Sequence, residues 1–211
     1  MYADYCQFEP GILASFSGDS KLIELYNSGD VYAGLAAQIG NSCTRKIAKE
    51  LFLSFVYGMT KENIRRRIIQ RFGADSGKAA DQFFSQFATV TQWKSDTVTE
   101  TKSSGLAKGP FSYIRRVSSD DSDRDIARWA PNHVIQSTAS GIFKKALCDL
   151  VVELPNCRLL VPMHDAILLE CPTSEVSRTR ESIRKIMIQN FLKVCPRIQV
   201  KISFDSFYAS S

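Results

Sequence analysis

Apolar positions in the first two thirds of the chain recur at helical spacing, and in the last third they change to short runs and strict alternation. Tyr2 to Phe8 reads as a short strand, which Pro10-Gly11 breaks before an apolar helical stretch from Ile12 to Phe16. Gly18-Asp19-Ser20 ends that helix and starts another. Asp30 is placed to cap a helix over 31–39, and Asn41 to Thr44 offer caps for a longer helix running to Tyr57 and closed by Gly58. Lys61 to Phe72 and then Ser76 to about Lys102 are again helical, the second carrying Phe83, Phe84, Phe87, Val90 and Trp93 near one helical repeat. Between Ser103 and Asp125 the chain turns polar, and a mobile loop or hairpin is expected, with Phe111 to Ile114 as a short strand. Helix resumes at Ile126 or Asn132 and runs to Glu153, bent or restarted at Pro131.

Beyond that point the period changes. Arg158 to Pro162 and Ile167 to Glu170 are apolar runs around Met163-His164-Asp165-Ala166, which predicts a tight antiparallel hairpin buried on its flanks. Ser174 to Val194 sets Val176, Ile183, Met187 and Val194 opposite Arg178, Glu181 and Lys185, an amphipathic helix covering a sheet. Ile198, Val200, Ile202 and Phe204 then alternate with Gln199, Lys201 and Ser203 as a half-buried strand. The fold class that follows is α+β: a small antiparallel sheet assembled from both chain ends, with a long helical insertion between them and no internal repeat.

With 44% hydrophobic and 23% charged residues among 211, a disordered tail, a collagen-like repeat and a coiled-coil rod are excluded. The net charge of +5 is compatible with an anionic partner without requiring one. No apolar run approaches the roughly 18 residues of a membrane span, and the start of the chain lacks the pattern of a secretory signal, so an intracellular protein with no membrane partner is expected. Six scattered cysteines without a C-x-x-C pair, and two histidines, His133 and His164, point to reduced thiols and away from zinc. A Gly-rich phosphate loop is missing, which excludes a Walker-type nucleotide site.

Two aspartates stand out by context: Asp4 on the first strand and Asp165 at the hairpin tip. Carboxylates ~5 Å apart repel by about 3 kcal/mol at an effective dielectric near 20, so both stay ionised only with a cation between them, and oxygen ligands of this kind suit magnesium. The alternative is that Asp4 caps a turn and Asp165 is an ordinary turn residue. Arg45, Lys49, Leu53 and Tyr57 stand four apart along one helix face, a track for a polyphosphate with a base or sugar at its far end, or else a solvated face. Arg128, Asn132 and Gln136 form a second row of the same spacing, able to hydrogen-bond phosphates, sugars or minor-groove acceptors, or else an exposed polar face.

Taken in order, these segments resemble the C-terminal catalytic region of family A DNA polymerases, the bacterial DNA polymerase I type. ADYCQFEPGILASFSGD is similar to that family's motif A, DYSQIELRxLAHxSGD, and RKIAKELFLSFVYGMT to motif B, RxxxKxxxFGxxYG. QSTASGIFKKAL is similar to QGTAADIxKxAM, and MHDAILLE to motif C, VHDExxxE. The resemblance implies that Asp4 and Asp165 hold two magnesium ions, with the backbone carbonyl of Tyr5 assisting, for phosphoryl transfer from a deoxynucleoside triphosphate to a primer 3′-hydroxyl. It implies Arg45 and Lys49 on the triphosphate, Tyr57 at the template-side base pocket, and Glu9 as a steric gate against a ribose 2′-hydroxyl. His164 falls near the primer terminus, and Gln7, Arg128, Asn132 and Gln136 match residues that contact substrate or the minor groove.

The chain departs from the pattern at Leu53, where the family has Phe or Tyr, and at Ser54, Gly11 and Ala166, which replace Gly, Arg and Glu. The expected architecture is a small antiparallel palm sheet, with the palm at about 1–12 and 128–211, and a large, mostly helical fingers insertion at about 13–127. A thumb is expected to be absent, so the expected partners are primer-template DNA, deoxynucleoside triphosphates and a thumb supplied upstream or by a separate polypeptide. The expected compartment is cytoplasm, nucleoid or a DNA-containing organelle. The competing reading is a catalytically impaired DNA-binding or scaffold remnant of the same fold.

Overall fold

The computed structural model describes residues 1–40 and 43–205. The chain opens with β1 (Tyr2–Tyr5) and continues through α1 (Phe8–Ser17), α2 (Ser20–Ser28), α3 (Val31–Ile39), α4 (Arg45–Val56), α5 (Lys61–Phe72), α6 (Ala74–Ser85) and α7 (Ala88–Ser104). A small hairpin of β2 (Leu106–Lys108) and β3 (Ile114–Arg116) leads into the long α8 (Asp123–Glu153). There follow the hairpin β4 (Arg158–Met163) and β5 (Ala166–Glu170), then α9 (Val176–Leu192) and β6 (Ile202–Asp205). The main sheet has the order β4-β5-β1-β6 with every neighbouring pair antiparallel, so both ends of the chain meet the late hairpin in one sheet. This is the α+β arrangement that the change of period implies.

Several boundaries differ from the sequence expectation, each for a local reason. β1 stops at Tyr5 because Gln7 turns into the left-handed region (φ 51°), and Gly11 N–H then closes on Gln7 O at 3.1 Å. Pro10 therefore sits inside the first turn of α1, where a missing N–H leaves no helix bond unmade. Gly11 lies within the helix, and a Cβ there would come 3.0 Å from the Tyr26 ring, whose hydroxyl donates to Cys6 O at 2.9 Å. The single helix expected over 76–102 is two, α6 and α7. The chain turns at Phe87, which sends its ring into the core with Phe83 and Phe84. Thr44 caps α4 by accepting from Ile47 N–H at 3.4 Å, whereas Asn41 lies outside the described residues.

Toward the C-terminus, α8 neither restarts nor ends at Pro131 but runs through it, started by a capping box of Ser122 and Asp125. Phe111 to Tyr113 form the bend of the small hairpin and not its strand. Only β5 is buried as expected; β4 is the outer strand, and its Leu160, Val161 and Met163 are exposed. The last strand is confined to β6, although Ile198, Val200 and Ile202 are buried as the alternation predicts. Gln199 N–H bonds the Asn27 side chain at 2.8 Å and so finds its partner outside any strand.

One buried side chain ties distant parts of the insertion together. Asp19 Oδ1 accepts from Leu22 N–H at 3.0 Å to cap α2, and its Oδ2 accepts from Thr89 N–H at 3.2 Å in the first turn of α7. Asp19→Ala is expected to lower stability by roughly 2–3 kcal/mol, the sum of two caps. A urea midpoint that moves with an unchanged m-value would measure this.

Candidate functional site

Alternation along β1 buries Ala3 and Tyr5 beneath the sheet and leaves Tyr2 and Asp4 on its other face. The Tyr5 ring stacks on Phe8 at 4.2 Å, and its hydroxyl donates to Met187 O at 2.8 Å, so only its backbone is available on the Asp4 side. β5 pairs with β1 so that Ala166 stands opposite Asp4, and Tyr5 N–H donates to Asp165 O at 3.3 Å. The turn before β5 is made by His164 in the left-handed region (φ 52°), which sets Asp165 beside the end of β1. The register alone therefore brings Asp4 and Asp165 together from positions far apart in the chain.

These two carboxylates share an unfavourable environment. Burial, with the Asp165 charge adding to it, pushes the Asp4 carboxyl from 3.8 up to about 6, against the opposing pull of Lys49. Burial also raises Asp165, opposed by a bond to its own backbone N–H and by Lys49 and His164. Asp4 Oδ1 is buried without a hydrogen-bond partner. Such an atom is costly unless something positive or protic reaches it.

Helix α4 faces this pair across a cleft. Gly58 turns the chain away at its end (φ 88°); a Cβ there would lie 2.9 Å from Arg128 O, so α4 and α8 approach closely at this point. Arg45, Lys49, Leu53 and Tyr57 all line one cavity of about 860 Å³ with Asp4, Tyr5, Gln7, Glu9, Gln136, His164 and Asp165. Arg45 Nε donates to Asp30 Oδ2 at 2.6 Å, while Asp30 Oδ1 caps α3 through Tyr32 and Ala33 N–H. The Arg45 guanidinium also lies over the Tyr32 ring at 5.3 Å. The Tyr57 hydroxyl donates to Glu9 Oε2. Burial raises the Glu9 carboxyl, the Tyr57 bond opposes this, and the Asp165 charge adds to it. Gln7 Oε1 accepts from Val31 N–H at 2.9 Å, so this side chain braces the start of α3 as well as lining the cleft.

Two of the sequence candidates stand apart. Arg128 and Asn132 do not line the cavity: Arg128 is exposed, 3.8 Å from Asp125, and Asn132 Oδ1 is buried without a hydrogen-bond partner. They continue the Gln136 row outward along α8. Inward, the same four-residue step reaches Ser140 and Lys144, which line the cavity and escaped the sequence reading although extending the row would have found them. Tyr32 and Ser203 also line it, and no motif spacing points to either.

A family model described as DNA polymerase family A matches residues 1–209. The chain belongs to that family. DNA polymerase theta of Caenorhabditis elegans is 30% identical over 214 residues, which cover 97% of this chain and 13% of that protein. DNA polymerase I of Geobacillus stearothermophilus is 29% identical over 221 residues, covering 96% and 24% respectively. The chain thus spans between about an eighth and a quarter of the length of these curated relatives. Among solved structures, the POL domain of Pol1 from M. smegmatis, in complex with DNA primer-template and dNTP, superposes with a TM-score of 0.77. It is 24% identical and is matched over 95% of this chain and 38% of that one, a likeness of fold.

Within this family A chain, Ala166 is buried opposite Asp4, so a methyl group replaces the acidic side chain of the motif and removes one like charge from the strand facing Asp4. Among the described residues no cluster of three or more His, Cys, Asp or Glu gathers. A metal here would rest on Asp4, Asp165 and a backbone oxygen, with the remaining ligands from water and substrate, as magnesium prefers. The unpartnered Asp4 Oδ1 and the raised carboxyls fit such an ion.

The same shifts make a pH prediction. Asp4, Asp165 and Glu9 hold protons more tightly when folded than when unfolded. Their ionisation therefore works against the fold at neutral pH; for Asp4 this penalty is full above about pH 6 and is relieved as pH falls from about 6 toward 3.8. With EDTA present, the urea midpoint is expected to be higher at about pH 5 than at about pH 7.5. Asp4→Asn should raise the midpoint at the higher pH and flatten the difference; an unchanged profile would count against the raised carboxyl.

Proposed function

We propose that this chain carries template-directed DNA polymerisation, adding deoxynucleotides to a primer 3′-hydroxyl with release of pyrophosphate. The observation that carries the reading is the convergence of Asp4 and Asp165 with the Arg45–Lys49–Tyr57 face of α4 in one cleft. On this reading the palm is at about 1–12 and 128–211, with β1, most of α8 and the later hairpin, and the fingers are at about 13–127.

Each residue then has a task. Arg45 and Lys49 bind the triphosphate, and Asp30 with Tyr32 holds the Arg45 guanidinium in place. Tyr57, tied to Glu9, walls the base and sugar pocket, and Leu53 offers it an aliphatic surface. His164 and Gln7 contact substrate, while Gln136, Asn132 and Arg128 track the duplex along α8. Asp4, Asp165 and the Tyr5 carbonyl hold two magnesium ions, which when bound lower the pKa of the primer hydroxyl and neutralise the leaving pyrophosphate. The partners are primer-template DNA and deoxynucleoside triphosphates, together with a thumb-bearing segment upstream or on a separate polypeptide. Grip on the duplex by this chain alone is salt-sensitive, because it rests on phosphate contacts.

Primer extension with magnesium on a short primer-template tests the reading. Extension by the chain, or by the chain fused to a thumb-bearing segment, supports it; failure of both removes it. In the active form Glu9→Ala is expected to admit ribonucleotides about tenfold or more readily, since a carboxylate at the sugar excludes a 2′-hydroxyl by bulk and desolvation. An unchanged deoxy-to-ribo preference would remove the sugar-gate role alone.

A further inference from the structure

Cys157 and Cys171 flank the outer ends of β4 and β5, and the backbone pairing fixes how they face one another. The Met1 ammonium donates to Leu169 O at 2.8 Å, and Leu169 N–H donates to Met1 O at 2.9 Å. Both backbone groups of Leu169 therefore point away from β4, so those of Glu170 point toward it. Glu170 and its partner Arg158 are thus a hydrogen-bonded pair. Carried one residue beyond the last strand pair, this register sets Cys171 opposite Cys157 as a non-hydrogen-bonded pair. Cys157 N–H agrees with this by turning to Leu154 O at 3.0 Å. Directly opposed residues of that kind have Cα atoms about 4.5 Å apart and side chains on one face. A disulfide needs about 4.4–6.8 Å.

Both thiols are free and half-buried. Cys157 Sγ lies 3.9 Å from Thr179 Oγ1 on α9. Cys171 lines a groove of about 790 Å³ together with Glu170, Thr173, Arg180 and Phe204. That groove is lined by residues of β4, β5, β6 and α9 and shares no lining residue with the Asp4–Asp165 cleft. It gives a small reagent access to Cys171, and the Arg180 guanidinium offers a counter-charge to an anionic one.

We propose that Cys157 and Cys171 form a dithiol site that exchanges with a low-molecular-weight disulfide of the glutathione type and closes into a bond across the base of the β4–β5 hairpin. Cys171, in the groove, loses its proton to solvent and its thiolate attacks one sulfur of the added disulfide. That S–S bond breaks and the first glutathione leaves as thiolate. Cys157 then loses its proton and attacks the Cys171 sulfur, and the second glutathione leaves. The two cysteine protons end on the two glutathiones; the protein has lost two electrons and the added disulfide has gained them. Burial raises the Cys157 thiol, the Thr179 contact opposes this, and the Cys171 charge adds to it. Cys157 is accordingly suited to the second, intramolecular step, where proximity offsets a small thiolate fraction.

The folded chain, freed of reductant, is incubated with oxidised glutathione, its remaining thiols are alkylated, and its peptides are mapped by mass spectrometry. The expected result is a peptide pair linked through Cys157 and Cys171 and released by dithiothreitol. Cys157→Ser should instead trap glutathione on Cys171, and Cys171→Ser should slow modification of Cys157 by about tenfold or more. Separate glutathione adducts on both cysteines of the unsubstituted chain, a link from either one to another cysteine, or full alkylation of both would overturn the proposal.

Discussion

Asp165→Ala is expected to reduce magnesium-dependent primer extension by at least about 10³-fold while changing primer-template affinity less than about threefold. The asymmetry follows from position. Asp165 is half-buried at a hairpin tip beside Asp4, where it is proposed to hold a metal at the reacting centre, whereas the duplex contacts proposed for Arg128, Asn132 and Gln136 lie along α8. Single-turnover extension and equilibrium DNA binding separate the two effects. Extension within tenfold of the unsubstituted chain would remove Asp165 from the metal pair, and a parallel collapse of DNA affinity would mark the change as structural. Asp4→Ala should behave alike and, because both are proposed to hold the same metal ions, the double substitution should add little to either.

Lys49→Met should act on a different quantity. The ammonium is proposed to bind the triphosphate, and its charge also draws both Asp4 and Asp165 downward. Its loss is expected to lower kcat/KM for the nucleotide by roughly 10²–10³-fold. It should also move the acid limb of the pH–rate profile upward, because both carboxyls then keep their protons to higher pH and compete with the metal. Loss of activity with an unmoved acid limb would confine Lys49 to the triphosphate. Arg45→Met lacks that electrostatic link to the carboxylates in the structure and serves as the contrast.

What the sequence makes legible is whatever local chemistry decides. Asp30 and Thr44 announce α3 and α4 because a side-chain oxygen must meet the first free N–H groups of a helix, and they do. The four-residue rows are legible because helix geometry alone puts their members on one face. The pairing of Asp4 with Asp165 is also implied, since a buried hairpin and a half-buried first strand have few ways to share a sheet. Long-range contacts decide what remains hidden. Nothing in the spacing of Tyr32 or Ser203 says that α3 and β6 border the cleft, because tertiary packing brings them there. The break at Phe87 is hidden for the same reason: three phenylalanines near helical spacing read as one face, and only the shape of the core they enter bends the chain between them. Pro131 misleads in the opposite sense, as Ile126, Trp129, Ile135 and Ile142 are buried on both sides of it and carry α8 through the missing bond.

The two oxygens of Asp19 carry a consequence for how the insertion comes apart. Leu22 and Thr89 lie far apart in the chain, yet their N–H groups rely on one carboxylate, so neither helix start can fray while the other keeps its full cap. Opening there is a joint event, and α2 and α7 belong to one cooperative unit despite the four helices that intervene between them. A chain cut anywhere between them would keep both ends of that unit only if the pieces stayed together, so the insertion behaves thermodynamically as a closed ring.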